Sequence, residues 1–142
     1  MFAVMAAPHL KHINHHFEMT TIATLGPEGS DSYHAALQYA PESELIFCNH
    51  ISEVILHFSE NRADYALIPV YNTREGEVKE YFRLMENLDN GFWVDNIVLP
   101  IHLSLGAVSE DQLLSEVEVI VGRASVLKQC EEYISSSMSQ AT

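Results

Sequence analysis

Between Thr20 and Leu88 the chain switches hydrophobic period three times, and this alternation restricts the fold more than any other feature. The β-type run Thr21-Ile22-Ala23-Thr24-Leu25 stops at Gly26-Pro27-Glu28-Gly29, and Ser30 opens an Ala-rich helical stretch to Ala40 with Ser30 as N-cap. Glu44 to Cys48 reads as a short strand. Ile51, Val54, Ile55 and Phe58 then recur at i, i+3, i+4 and i+7, which predicts an amphipathic helix. Tyr65-Ala66-Leu67-Ile68 is a continuous apolar run, the pattern of a strand buried on both faces, and Pro69 stops it. A loop over 70–76 leads to a helix whose inner face is Val78, Tyr81, Phe82, Met85 and Leu88. Strand and helix alternating in this way predict an α/β fold, a mostly parallel sheet with helices on both faces and right-handed crossovers.

The pattern changes after Trp93. Trp93, Ile97, Leu99, Ile101, Leu103 and Leu105 keep alternate positions, which predicts a long half-buried strand passing from one lobe to another. Ser109-Glu110-Asp111-Gln112 has the form of a capping box. Val117 to Val121 reads as a strand. Val126, Leu127, Cys130, Tyr133, Ile134 and Met138 line a last helix, and a polar tail follows from Ser135. The expected organisation is a leader or disordered extension over 1–19, a first α/β lobe over 20–96, and a crossover strand with a partial second lobe over 97–142. Met19 is an alternative beginning for the lobe. Two strands are marginal alone in water, so the incomplete second lobe calls for more chain or another subunit, and a homo-oligomer is expected.

Charge excludes one class of partner. Seven basic residues stand against 20 acidic ones, a net charge of −13, whereas nucleic-acid binding requires clustered Lys and Arg. No apolar run is long enough to span a bilayer. Cys48 and Cys130 match no metal-binding or redox spacing and read as buried free thiols in a reducing cytoplasm. His9, His12, His15 and His16 read as adventitious rather than as a built metal site.

A strand, a Gly-bearing turn and a helix N-terminus in succession form a socket for an anion, which marks Gly29 and Ser30 as ligand-binding candidates. Asn72 and Thr73 follow a buried strand, where ligand sites of α/β proteins gather. Arg74 and Arg123 are scarce cations suited to a carboxylate, and Arg123, just before a helix, is the stronger candidate. The bland alternatives are capping for Ser30, turn chemistry for Asn72 and surface ion pairs for the arginines. His102 falls opposite the apolar face of the long strand and faces a cleft or solvent. His34, His50 and His57 read as helix-surface or core residues.

Four blocks in register resemble the prephenate dehydratase family. They are Leu25-Gly26-Pro27-Glu28-Gly29-Ser30 with Ser32 and Ala35-Ala36; Ala63-Asp64-Tyr65, Pro69, Asn72-Thr73, Gly76 and Val78; Leu99-Pro100-Ile101-His102-Leu103-Ser104-Leu105; and Leu127-Lys128-Gln129-Cys130. The resemblance implies a periplasmic-binding-protein-like fold of two α/β lobes with the substrate between them. It implies a cytoplasmic enzyme of phenylalanine biosynthesis acting on prephenate, a small acid with two carboxylates. Loss of the ring carboxylate as CO2 with expulsion of the 4-hydroxyl gives phenylpyruvate, and aromatisation drives it, so neither metal nor organic cofactor is implied. The chain departs from the family pattern at Asp31, Tyr71 and Gly122-Arg123, and it holds no Thr-Arg-Phe block, the family's source of the dehydrating threonine. No catalytic residue is assigned. Two alternatives stay open: a prephenate decarboxylase of the bacilysin-type antibiotic pathways, which leaves the ring non-aromatic, and a non-catalytic module that binds a small acid.

Overall fold

The computed structural model describes residues 1–7, 19–73, 76–86 and 91–142. The chain divides into two compact units, Met1–Pro100 and Ile101–Thr142. The first unit is built on a five-stranded mixed sheet. Its strands are β1 (Phe2–Ala6), β2 (Thr21–Leu25), β3 (Glu44–Cys48), β4 (Tyr65–Pro69) and β7 (Phe92–Ile97), in the spatial order β3-β2-β4-β1-β7. β2 pairs in parallel with β3 and with β4, while β1 lies antiparallel between β4 and β7. Helix α1 (Asp31–Tyr39) joins β2 to β3, and α2 (Ile51–Ser59) joins β3 to β4.

The two helices cover opposite faces. On one side Ala35 and Ala36 of α1 pack on Phe2, Val4, Ile22, Leu67 and Ile97. On the other, Ile51, Val54, Ile55 and Phe58 of α2 pack on Ala3, Met5, Ala23, Ala66 and Ile68. Consecutive residues of one strand serve opposite layers because side chains alternate across a sheet. β4 and β1 are therefore apolar at every central position, having no solvent face. α2 shows the expected i, i+3, i+4, i+7 burial, and all four residues are buried. The first crossover runs from β2 outward to β3 over one face, and the second runs back past β2 to β4 over the other. Both have the same hand, the outcome that the crossover rule produces.

Several expectations are corrected. Residues 2–6, read as part of a leader, form β1, and Ala3, Val4 and Met5 have no exposed surface. FAVMA is a continuous apolar run, and here it fills a position between two strands of the sheet. The four histidines at 9, 12, 15 and 16 lie outside the described residues. The segment after β4 is a small hairpin rather than a plain loop: β5 (Tyr71–Asn72) pairs antiparallel with β6 (Gly76–Glu77). α3 (Lys79–Met85) follows, with Tyr81 buried against the α2 layer. Leu88, assigned to the inner face of that helix, lies outside the described residues, and Val78 precedes the helix. The long strand expected over 93–107 is only β7, ending at Ile97. Its neighbour β1 runs out at Phe2, directly opposite Ile97, and Pro100 has no N–H to carry a ladder further.

In the second unit the capping-box motif makes a turn, in which the Asp111 amide donates to Ser109 Oγ at 3.3 Å, followed by a single 3-10 turn at Leu114–Glu116. Val117 to Val121 is not a strand; the Ile120 amide donates to the Thr142 carbonyl and the Thr142 amide to the Glu118 carbonyl. α4 (Ala124–Ser137) matches the last predicted helix, but Tyr133 is exposed, and Met138 is the one buried residue among the described residues of this unit. Little core exists to hold strands together here, which is why β-type sequence stays irregular.

The β1 assignment carries a test. Met5→Ala removes a fully buried side chain from the α2 layer and is expected to lower unfolding free energy by about 2–5 kcal/mol in denaturant titration. An unstructured leader predicts no change.

Candidate functional site

The carboxyl ends of β2, β3 and β4 lie on one edge of the sheet because the three strands are parallel. β2 and β4 are neighbours, with Thr24 opposite Leu67. Adjacent strands are about 4.8 Å apart, so the Gly26–Ser30 turn and the Tyr71–Thr73 segment start side by side. They then diverge. The chain leaving β2 enters α1 on one face of the sheet, and the chain leaving β4 reaches α3, which packs with α2 on the other. Chains leaving adjacent strands toward opposite faces open a crevice at the strand ends, the topological switch point where open α/β sheets bind ligands.

Local chemistry shapes the first wall. Gly29 has φ +83°, a conformation in which an L side chain is strained, while a Cβ there would meet nothing within 4 Å. The requirement at Gly29 is thus conformational. At Gly26 it is steric: a Cβ would lie 3.1 Å from that of Phe47 on β3. The Gly26 amide donates to the Cys48 carbonyl at 2.9 Å, and the Ser30 amide to the Pro27 carbonyl at 3.1 Å. Ser30 is the N-cap of α1: its hydroxyl accepts from the Tyr33 amide at 3.2 Å and donates to the Leu25 carbonyl at 3.4 Å. Capping therefore engages the Ser30 hydroxyl. What α1 offers an anion is the amides of its first turn, at Asp31 and Ser32, which have no carbonyl to bond within a helix.

Asn72, on the second wall, is half-buried and pairs with Gly76 across the hairpin; Thr73 is exposed at its tip. Arg74 lies outside the described residues. Arg123 belongs to the second unit, where it is exposed and occupies the N-cap position of α4 with no side-chain capping bond. Four of the five sequence candidates, Gly29, Ser30, Asn72 and Thr73, thus stand at one sheet edge, and the fifth is in the other unit. His34, His50 and His102 are exposed. Cys48 ends β3 beneath the turn; burial and, secondarily, the nearby Glu53 push its thiol up, against a smaller opposing effect of Arg62, so it stays protonated at neutral pH. Among the described residues no three His, Cys, Asp or Glu side chains are grouped to hold a metal ion. No helix among them is long and apolar enough to cross a membrane.

Sequence reasoning passed over Tyr33, Glu28 and Phe47, which surround the turn. The Tyr33 ring lies 6.1 Å from that of Phe47 and 5.3 Å from His34, and its hydroxyl reaches Glu28 Oε1 at 3.5 Å. Its position three residues after an N-cap serine was the available signal, since that amide is the one a cap receives.

The sequence model of the prephenate dehydratase family matches residues 22–142, and the chain belongs to that family. It is 31% identical over 117 residues to the bifunctional chorismate mutase/prephenate dehydratase of Buchnera aphidicola subsp. Acyrthosiphon pisum, covering 78% of this chain and 29% of that protein. It is 33% identical over 120 residues to the prephenate dehydratase of Lactococcus lactis subsp. cremoris, covering 84% of this chain and 42% of that one. The prephenate dehydratase of Streptococcus mutans, a solved structure, aligns at 29% identity with a TM-score of 0.49, covering 61% of this chain and 54% of that one. The chain therefore spans well under half the length of these curated relatives.

The capping role of Ser30 is separable from ligand binding. Ser30→Ala is expected to cost about 1 kcal/mol of stability, and Ser30→Asp to restore it. Urea unfolding of both variants checks this; equal losses in the two would contradict the cap.

Proposed function

We propose that the β2/β4 crevice binds prephenate and that the chain provides the substrate grip of a prephenate dehydratase-type lyase of aromatic amino-acid biosynthesis. The observation that carries this reading is the side-by-side departure of the Gly26–Ser30 turn and the Asn72 segment from two adjacent parallel strands. Membership in the family and the printed activity of the relatives support it. In this reading the Gly29 corner and the first amides of α1 receive one substrate carboxylate. Asn72 and Thr73 orient the rest of the ring acid, and Arg123 supplies the positive charge for the second carboxylate. Orientation matters because the reaction is a fragmentation whose leaving groups must align before CO2 departs. Assistance to the departing hydroxyl is a general-acid task, and no residue is assigned to it.

Asp31 favours a second reading. It is exposed in the first turn of α1, where the family pattern carries an aromatic residue. Decarboxylation that leaves the hydroxyl in place, giving a non-aromatic acid, fits a site with this extra negative charge and no assigned proton donor. Cytoplasmic location and self-association complete the proposal. Two free cysteines support the first. Exposed Val108, Leu113, Val119 and Val121 of the second unit support the second, since apolar side chains of this number favour cover.

Incubation with prephenate under ultraviolet monitoring separates these outcomes. Phenylpyruvate is expected from a dehydratase and a dihydro acid from a decarboxylase. Binding without turnover would leave only the grip, visible as a raised melting midpoint; ligand at 100 times its Kd stabilises by about 2.7 kcal/mol. No product and no shift would overturn the proposal.

A further inference from the structure

Resting on the reading of the β2/β4 crevice as a carboxylate site, we infer that Tyr33 is a latch that holds the protein's own Glu28 carboxylate out of it. Glu28 is exposed in the turn between Pro27 and Gly29, two residues before the N-cap of α1. A carboxylate on a flexible stem at this point is a ligand for the same first-turn amides that would receive a substrate carboxylate. Being tethered, it competes at an effective concentration in the millimolar range or above. A site for a small dianion works only if that internal competitor is kept elsewhere.

The structure shows where it is kept. The Tyr33 hydroxyl donates to Glu28 Oε1 at 3.5 Å. Tyr33 is itself fixed at both ends. Its amide donates to the Ser30 cap at 3.2 Å, and its ring lies against Phe47, with centroids 6.1 Å apart. Phe47 belongs to β3, which flanks β2 on the side away from β4. Tyr33 therefore draws the Glu28 carboxylate toward β3, while the crevice and Asn72 lie toward β4. Tyr33 touches no substrate in this arrangement; it is a positioning residue that acts through Glu28. Asp31 has no such tether to Tyr33, so it weakens anion binding in every variant alike and serves as an internal reference.

Calorimetric titration of prephenate into the wild type, Tyr33→Phe, Glu28→Gln and the double variant tests the latch. Tyr33→Phe keeps the ring and its packing on Phe47 and removes only the hydroxyl. It is expected to weaken binding roughly threefold to tenfold, the scale of one exposed charge interaction. Glu28→Gln is expected to bind at least as tightly as the wild type, and the double variant to match Glu28→Gln, because no carboxylate is left to release. An equal loss from Tyr33→Phe in both backgrounds would make Tyr33 merely structural and overturn the latch. A second readout needs no ligand. The Glu28 side chain should hold one rotamer in the wild type and average in Tyr33→Phe, as read by NMR couplings. Averaging in both proteins overturns the latch whatever the ligand does. A wild type that holds Glu28 in one rotamer but does not bind prephenate overturns the site reading, and with it the purpose of the latch.

Discussion

The parallel pairing of β2 with β4 is the constraint on which the rest of the first unit depends. It places two strands that are distant in sequence side by side, and their following segments must then separate to opposite faces of the sheet. Thr24, with no exposed surface, donates its hydroxyl to the Leu67 carbonyl at 2.9 Å across this pair. At the other end Asp64 accepts from the Thr21 amide and hydroxyl, both at 2.9 Å. Polar groups inside or at the rim of a sheet are costly unless bonded, so these contacts favour one register over its neighbours. A slip by one residue would exchange the two faces of β4 and turn Ile68 from the α2 layer toward α1.

Burial does the rest. β4 is covered by α1 on one face and α2 on the other, and its remaining edge is taken by β1. That last role explains why FAVMA is apolar throughout: a strand between two others and under two helical layers has no position where a polar side chain meets water. The sheet is mixed for the same reason. A strand that reaches β4 without a helical crossover can pair with it in either sense, and here it pairs antiparallel, with β7 beyond it.

Much of this was legible in the chain itself. The helix of Ile51, Val54, Ile55 and Phe58 and the cap at Ser30 are local patterns with local causes, and the structure reproduces both. Tyr65–Ile68 could be read as a buried strand because nothing in it suits solvent. What failed depended on partners that a sequence does not display. The alternation from Trp93 to Leu105 specifies a strand only where another strand lies alongside, and beyond Ile97 none does among the described residues. The capping-box letters at Ser109 require a helix to cap, and a unit whose described residues include one buried side chain does not supply it. β1 was missed for the converse reason: five apolar residues at a chain start resemble a leader until a gap in a sheet claims them. At the site, Gly29 and Ser30 were visible from turn chemistry, whereas Tyr33 and Phe47 enter only through packing across β2 and β3.

The convergence of the two strand-end segments is tested most directly by amide NMR of the whole chain during titration with prephenate. The account predicts that the backbone signals of Gly29, Asp31, Ser32, Asn72 and Thr73 shift together and saturate at one common ligand concentration, while those at the opposite sheet edge, such as Thr21 and Asp64, stay in place. Shifts confined to one of the two segments, or saturation of the two at different concentrations, would contradict a single crevice that holds one doubly charged acid.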